Sequence, residues 1–166
     1  MRPMFHFTER RIEAHVCICF IAYKVPYYDL FTEESPWSLH EIVIMASLIE
    51  KETDGDDYKT IASVLYNRLN NPAAETAGFL QIDAALVYIN GGRVPTNEDK
   101  ELDSPYNTYK YKGLVPGPIA NPGMASLYAA LEPDQTGYYF YALNPATGKH
   151  EFSRTYQEHL NRLAGY

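Results

Sequence analysis

The stretch of sequence that most constrains the fold is LHEIVIMASLIEK, residues 39–51, because it is apolar on nearly every side of a helix. A helix of this kind is buried in a protein core, so the rest of the chain has to cover it. Ser38 and Glu41 have the spacing of a capping box, which predicts that the helix starts near Leu39.

The segments that follow contain further helical patterns. A second helix, which ends at Asn70-Asn71-Pro72, is predicted by apolar residues that recur at helical spacing: Ile61, Val64, Leu65 and Leu69. Residues 93–123 are rich in Pro, Gly and Asn, which predicts a long ordered loop or a series of turns. Asn121 and Pro122 are typical of an N-cap and a first helical position, so we expect a helix from there through Leu131.

The end of the chain predicts a hairpin followed by a helix. Residues 138–143 (YYFYAL) are strand-like, and a turn at 144–148 leads to a second short strand, HEF. Thr155 with Glu158 forms another capping box and predicts a final helix to about Ala164. Together these patterns predict an α+β fold with a helical core, a small β-hairpin sheet and long ordered loops.

Length, charge and composition narrow the range of possible functions. A chain of 166 residues suits one compact domain with a sizeable core. Its formal net charge of −7 disfavours general nucleic-acid binding, which needs a basic surface facing phosphates. Fifteen tyrosines and one tryptophan suit core packing or contacts to sugar rings, since each ring has an apolar face and a polar edge. Cys17 and Cys19 do not have the spacing of a zinc or thioredoxin-type site.

Residues 1–25 differ from the rest of the chain, because they are basic and contain both cysteines. They resemble the C-terminal end of an insertion-element transposase, without the separated carboxylates that such a nuclease needs to hold metal ions. We therefore expect a transposase-like fusion segment at 1–25, a linker at 26–36 and the main domain at 37–166. The alternative for the first segment is a short helix packed on the domain.

No membrane anchor or signal peptide is recognisable in this sequence. The longest apolar run, Val16–Tyr23, is too short to span a bilayer. The residues before it carry glutamates among the arginines, which is not typical of a signal peptide.

The central helix ends in two glutamates, Glu50 and Glu52, which lie about 200° apart around its axis. Glu50 continues an apolar row of the helix, whereas Glu52 continues the row that contains Glu41. Glu50 is therefore expected to be the more sheltered carboxyl, and shelter raises the pKa of a carboxyl towards the range of a general acid. Taken alone, an acidic helix end is more often a solvated terminus.

Five segments occur in a fixed order: ASLIEKET, IASVLYNRL, LQIDAALVY, YNTYKYKGLVPGPIANPG and HEFSRTYQEH. Together they make residues 28–166 resemble the catalytic domain of the endolytic murein transglycosylase (YceG-like) family. The resemblance implies cleavage of the MurNAc–GlcNAc bond of peptidoglycan glycan strands without water, with formation of 1,6-anhydroMurNAc. It implies one catalytic carboxyl, here Glu50, acting as acid and then as base, because the nucleophile is the C6 hydroxyl of the substrate itself.

The resemblance also implies a groove built from polar and aromatic residues of these segments. The candidates for substrate binding are Gln81, Asp83, Asn107, Thr108, Tyr109 and Asn121. Asp83 is alternatively a helix cap, and Asn107 and Thr108 alternatively hold their own loop. His150 and His159 lack a third ligand at suitable spacing, so we expect structural histidines, no metal site and no cofactor.

Two positions and one larger feature depart from the family pattern. Ile82 stands where the family has Ser or Thr, so a substrate contact is expected to be weaker, and Ala84 stands where the family has Pro. The family's transmembrane helix and LysM-like domain are not found in this sequence. The family itself implies a location at the plasma membrane, with the catalytic domain on its periplasmic or outer face.

The expected partners are peptidoglycan glycan strands, with cell-wall synthesis proteins as further partners and no nucleic acid. One alternative function is an inactive fused or truncated remnant that keeps the fold as a glycan-binding or structural module. The other is a DNA-acting transposase fragment, which the acidic charge disfavours.

Overall fold

Helix α1 (Leu39–Glu52) lies at the centre of the fold, as its apolar sequence predicts. The structure, a computed structural model, describes residues 35–53 and 55–165. The predicted segment 1–25, and all of the predicted linker except its last two residues, lie outside the described residues. Every side chain from Ile42 to Ile49 is at most 3% exposed, so α1 is buried on all of its faces.

The capping box predicted at the start of α1 is confirmed. The hydroxyl of Ser38 accepts a hydrogen bond from the Glu41 N–H at 3.3 Å, and the Glu41 carboxylate accepts one from the Ser38 N–H at 2.8 Å. The Ser38 hydroxyl also donates to the Glu41 carboxylate at 2.7 Å, and this bond, followed by the one from the Ser38 N–H, lowers the pKa of Glu41. The helix begins at the predicted residue, which places Glu50 and Glu52 in its last turn.

Three helices pack against α1. Helix α2 (Tyr58–Asn70) ends where the sequence predicted. Helix α3 (Asp83–Ile89) contacts α1, and α4 (Met124–Leu131) contacts both α1 and α2. Their apolar side chains join those of α1 in one core, which includes Ile61, Leu65, Leu80, Ile82, Leu127 and Ala130. Burial of this shared apolar surface is the main stabilising term for a fold of this kind.

An antiparallel hairpin and a last helix complete the described part of the chain. Strand β1 (Phe140–Asn144) pairs with β2 (Lys149–Ser153), and Tyr141 lies opposite Phe152. Helix α5 (Tyr156–Leu163) contacts both strands and is capped by the Thr155 hydroxyl, which accepts from the Glu158 N–H. The predicted hairpin and the α+β fold class are confirmed, with the strand limits displaced by one or two residues.

None of the helices in the described part of the chain is both long and apolar enough to cross a lipid bilayer.

The long segment between α3 and α4 is a series of turns with one 3₁₀ helix (Glu98–Glu101), held together by buried polar side chains. Asn107 is 0% exposed. Its amide donates to the carbonyls of Lys100 and Leu102 at 2.9 Å each, and its side-chain oxygen accepts from the Tyr109 N–H at 3.0 Å. One buried amide therefore pins three parts of this loop together.

The prediction that a helix opens at Asn121 and Pro122 is wrong, although the predicted end at Leu131 is correct. The N-cap of α4 is Gly123, and its first residue is Met124. The cap comes from another helix, because the carboxylate of Glu50 on α1 accepts a hydrogen bond from the Gly123 N–H at 2.9 Å. A helix end whose free N–H groups find a partner elsewhere does not need a local Asn side chain.

We expect Asn107→Ala to lower the free energy of unfolding by about 2–3 kcal/mol, because it leaves buried carbonyls without a donor. Urea denaturation measures the change. Asn121→Ala is the matched control, since Asn121 is exposed, and it should change stability by no more than about 0.5 kcal/mol. Equal losses in the two variants would contradict the role given to Asn107.

Candidate active site

Glu50 joins helix α1 to the N-terminus of helix α4. Its Oε2 atom accepts hydrogen bonds from the Gly123 N–H, at 2.9 Å, and from the Ser126 hydroxyl. Gly123 is the N-cap of α4 and Ser126 lies in its first turn, so the Glu50 carboxylate caps this helix from outside. Glu50 is thus engaged in the packing of two core helices.

Glu52 is the last residue of α1 and lies in a sheltered, polar site. Its Oε2 atom accepts a hydrogen bond from the Tyr141 hydroxyl at 2.5 Å. Burial, followed by the negative charge of Asp83, raises the pKa of Glu52. Hydrogen bonds from Tyr141 and from the Ala84 N–H, together with the charge of Arg68, lower the pKa, but burial dominates.

In the structure, the carboxyl of Glu52 is sheltered and has a raised pKa. The reason is that α1 is covered on both faces. The row that contains Glu41 and Glu52 does not face solvent at its C-terminal end, because the hairpin and the start of α3 lie there. The shelter of Glu52 therefore comes from elements that the pattern of α1 alone does not include.

Arg68, in the last turn of α2, organises the environment of Glu52. It is only 5% exposed, and burial lowers its pKa. Its guanidinium donates to the carbonyl of Tyr139, at 2.7 Å, and to the carbonyl of Leu80. It also lies 5.6 Å from the centre of the Tyr141 ring. Arg68 therefore ties the residue before β1 to the loop before α3, and these two segments lead directly to Tyr141 and Ala84.

Asp83 and Tyr109 form a second hydrogen-bonded pair beside Glu52. The Tyr109 hydroxyl donates to Oδ1 of Asp83 at 2.6 Å, and Lys100 lies 4.8 Å from the centre of the Tyr109 ring. Burial, then the hydrogen bond and charge of Asp83, raise the pKa of Tyr109. Asp83 is exposed and Tyr109 is partly buried, so both are accessible to a ligand.

Gln81 is an exposed residue with an unusual backbone conformation. Its φ angle is 52°, in the left-handed region that a residue other than glycine seldom adopts. The loop is held there by Thr108, whose carbonyl accepts from the Gln81 N–H at 3.1 Å and whose hydroxyl accepts from the Ile82 N–H at 2.9 Å. Such strain is retained where surrounding contacts determine the backbone, often beside functional sites.

The six residues expected to bind substrate divide into two groups. The side chains of the first group are accessible. Asp83 and Tyr109 lie near Glu52, and Gln81 lies in the segment that leads into α3. Asn107 and Thr108 are at most 1% exposed and bond to backbone groups, so they hold the loop, which is the alternative that the sequence left open. Asn121 is exposed and lies two residues before the Glu50-bound Gly123, with no described contact to the Glu52 site.

The structure shows the surroundings of Ile82 and Ala84, the two residues that depart from the family pattern. Ile82 is 0% exposed and belongs to the core, so its side chain packs against apolar neighbours. Ala84 contributes the backbone N–H that bonds to Glu52. A proline at this position would have no N–H to donate.

His150 and His159 both contact neighbouring side chains. Nδ1 of His150 lies 2.8 Å from Oδ2 of Asp57, and its ring meets the Tyr141 ring edge-on. His159 stacks on Phe140 at 5.5 Å between ring centres, and burial lowers its pKa.

Sequence reasoning missed Arg68 and Tyr141. Arg68 had a local signal, since it follows Ile61 and Leu65 on one helical face, and a cation on an apolar face needs buried partners. Tyr141 had no such signal, because an aromatic residue in a strand is ordinary.

A separate groove of about 520 Å³ lies between Trp37, Tyr66 and Pro133. It contains none of the residues around Glu52, so its size does not bear on the chemistry of that site.

Comparison with known proteins links this chain to a family. The family model described as YceG-like family matches residues 8–164, a match that begins ahead of residue 28, where the resemblance was expected to start. An endolytic murein transglycosylase of Bacillus subtilis (strain 168) is 47% identical over 125 residues, which cover 74% of this chain and 33% of that protein. The protein of the same name from Streptococcus pneumoniae serotype 2 is 30% identical over 147 residues, covering 84% and 26%.

A crystal structure of a yceG-like protein from Listeria monocytogenes has the same fold. It superimposes with a TM-score of 0.76 at 42% sequence identity, covering 93% of this chain and 47% of that one. The chain thus spans about a third of the length of the Bacillus relative and about half of the solved structure.

The two glutamates should respond oppositely to neutralisation. At pH 7 we expect Glu52→Gln to raise the free energy of unfolding, because an ionised carboxyl in a sheltered site disfavours the folded state. Glu50→Gln should lower it by about 1–2 kcal/mol, because its hydrogen bonds lose their ionic character. Urea denaturation measures both changes.

The pH dependence of the stability change in Glu52→Gln provides an internal control. The pKa of Glu52 is raised in the folded state, so its destabilising effect is present at neutral pH and is lost as pH falls below the unfolded value of 4.5. The stability gained in Glu52→Gln should therefore shrink at acidic pH. Changes of the same sign in both variants at pH 7 would contradict the environments described for the two glutamates.

Proposed function

Because this chain belongs to the YceG-like family, we propose that it is the catalytic domain of a lytic transglycosylase. Its proposed reaction cleaves the MurNAc–GlcNAc bond of peptidoglycan glycan strands and leaves a 1,6-anhydroMurNAc end. Two relatives that carry the name endolytic murein transglycosylase support the proposal.

The observation that carries the proposal is a carboxyl with a raised pKa, Glu52, beside the accessible Asp83 and Tyr109. A carboxyl that keeps its proton closer to neutral pH can act as a general acid. We therefore assign the acid/base role to Glu52. The assignment to Glu50, predicted from the sequence, stays untested, and the cap that Glu50 provides to α4 favours a structural role.

The proposed reaction needs one carboxyl because the substrate supplies the nucleophile. Protonated Glu52 gives its proton to the glycosidic oxygen while the bond from that oxygen to C1 of MurNAc breaks. The C6 hydroxyl oxygen of the same sugar then bonds to C1, and its proton passes to the Glu52 carboxylate. The acid is regenerated and no water is consumed, which distinguishes this chemistry from hydrolysis by two carboxylates.

The surroundings of Glu52 suit a sugar chain. The aromatic ring of Tyr109 offers an apolar face, and the exposed side chains of Gln81 and Asp83 offer polar groups for sugar hydroxyls. We include Asn121 as an outlying contact in the groove. Asn107 and Thr108 act in this proposal through the loop that they hold.

The proposal includes a place of action. Peptidoglycan glycan strands are the substrate, and the family resemblance implies work at the periplasmic or outer face of the plasma membrane. Proteins of cell-wall synthesis are proposed as further partners.

The experiment that tests the proposal is digestion of purified sacculi by the chain, with mass spectrometry of the released glycan ends. We expect anhydro ends, and we expect Glu52→Gln to lower the rate by roughly 10²–10⁴-fold through loss of the general acid. Glu50→Gln, assayed where it is folded, is the matched control and should lose less than tenfold.

Three outcomes would contradict this proposal. Reducing ends in place of anhydro ends would indicate hydrolysis, with Asp83 as the second carboxylate. Loss of activity in Glu50→Gln but not in Glu52→Gln would return the catalytic role to Glu50. A folded chain that releases no glycan would support the alternative of an inactive module.

A further inference from the structure

Tyr141 connects the β-hairpin to the candidate acid. It lies on β1, and its ring is held by the Arg68 guanidinium, 5.6 Å from the ring centre, and by the His150 ring, 5.7 Å away at 88°. Its hydroxyl donates to Oε2 of Glu52 at 2.5 Å. Because the ring is packed by these neighbours, the hydroxyl is aimed at one carboxyl oxygen and holds it in place.

The hydroxyl acts as a hydrogen-bond donor and not as a second acid. Burial, followed by the negative charge of Glu52, raises the pKa of Tyr141 well above its ordinary value. The phenol therefore keeps its proton over the whole range in which a carboxyl titrates. With a phenol proton already directed at Oε2, the carboxyl proton of Glu52 belongs on Oε1.

We propose that Tyr141 is a positioning residue, whose hydroxyl fixes Oε2 of Glu52 so that the catalytic proton leaves and returns through Oε1. This inference rests on the proposed function. In the first step the bond between hydrogen and Oε1 breaks and the glycosidic oxygen takes the proton as its bond to C1 breaks. In the second step the C6 oxygen bonds to C1 and its proton returns to Oε1, while Tyr141 keeps its own proton throughout.

Four neighbouring elements present charged or polar groups to Glu52. Helix α2 contributes Arg68 and β1 contributes Tyr141, while α3 contributes Asp83 and the Ala84 N–H, and the long loop contributes the Tyr109 hydroxyl next to Asp83. Arg68 and the two donors favour the carboxylate, whereas burial and Asp83 favour the neutral acid. Removal of a donor therefore raises the pKa of Glu52.

Tyr141→Phe tests the proposal, because it keeps the ring between Arg68 and His150 and removes only the hydroxyl. The protonated form of Glu52 starts the reaction, so activity is lost as pH rises through its pKa. We expect this alkaline limb of the pH–activity profile to move up by about one pH unit in Tyr141→Phe. We also expect kcat to fall roughly tenfold or less with little change in KM, because the acid is less well oriented.

Tyr139→Phe is the matched control. Tyr139 directly precedes β1 in the same hairpin segment, and its hydroxyl accepts from the Asn71 amide at 2.8 Å, with no described contact to Glu52. Tyr139→Phe, like Tyr141→Phe, loses the phenol oxygen and one hydrogen bond, so a general loosening of the hairpin would affect both variants alike. We expect its pH profile to match that of the unaltered chain.

A titration without substrate separates this inference from the proposed function. Carbon-13 NMR of glutamate carboxyls, with the Glu52 signal assigned by Glu52→Gln, reports its pKa directly. We expect an upward shift of about one unit in Tyr141→Phe and none in Tyr139→Phe. An unchanged Glu52 titration in Tyr141→Phe overturns the positioning role. Absence of glycan cleavage by the unaltered chain overturns the proposed function instead, and the titration still decides the role of Tyr141.

Ala84→Pro provides a second, independent removal of a donor to Glu52. Proline lacks the N–H, and position 84 is the second residue of α3, where a helix tolerates proline. We expect the Glu52 signal to titrate at higher pH in Ala84→Pro and at unchanged pH in Ala84→Gly, which keeps the N–H. No shift in Ala84→Pro together with none in Tyr141→Phe would show that these donors do not hold the carboxyl.

Discussion

The shelter given to one carboxyl at the end of a buried helix determines how this site is built. Moving the Glu52 carboxyl away from water disfavours its charge, and the protein offsets only part of that penalty. Arg68, Tyr141 and Ala84 supply a charge and two donors, each from a different element. The packing of these elements around α1 therefore sets the acidity of the group as well as the stability of the fold.

Glu50 and Glu52, which are separated by one residue, contact different elements because other parts of the chain pack around α1. Glu50 points towards α4 and provides the acceptor that its first turn lacks. Glu52 points towards the hairpin and α3, where it accepts hydrogen bonds from the Tyr141 hydroxyl and from the Ala84 N–H in the first turn of α3. A helix with one solvated face would leave at least one of the two carboxyls in water, and this division would not arise.

Local sequence patterns were enough to predict the helices and the hairpin, whereas contacts between residues far apart in sequence determine the candidate site. The capping boxes, the end of α2 at Asn70 and the hairpin follow from residues close in sequence. The start of α4 was misplaced because its cap, Glu50, is 73 residues away. Glu52 was predicted to be the less sheltered of the two glutamates for the same reason, since Tyr141 is 89 residues further along the chain. Periodicity describes one element at a time and does not include such partners.

The link that Arg68 makes between the Leu80 and Tyr139 carbonyls has a consequence for biosynthesis. A ribosome releases α1 and α2 long before the hairpin emerges, so a growing chain can bury much of its core while Glu52 still faces water. The burial that raises the pKa of Glu52 is then incomplete. Under the proposed function, the complete environment of the acid therefore forms only after the last strand pair has been synthesised.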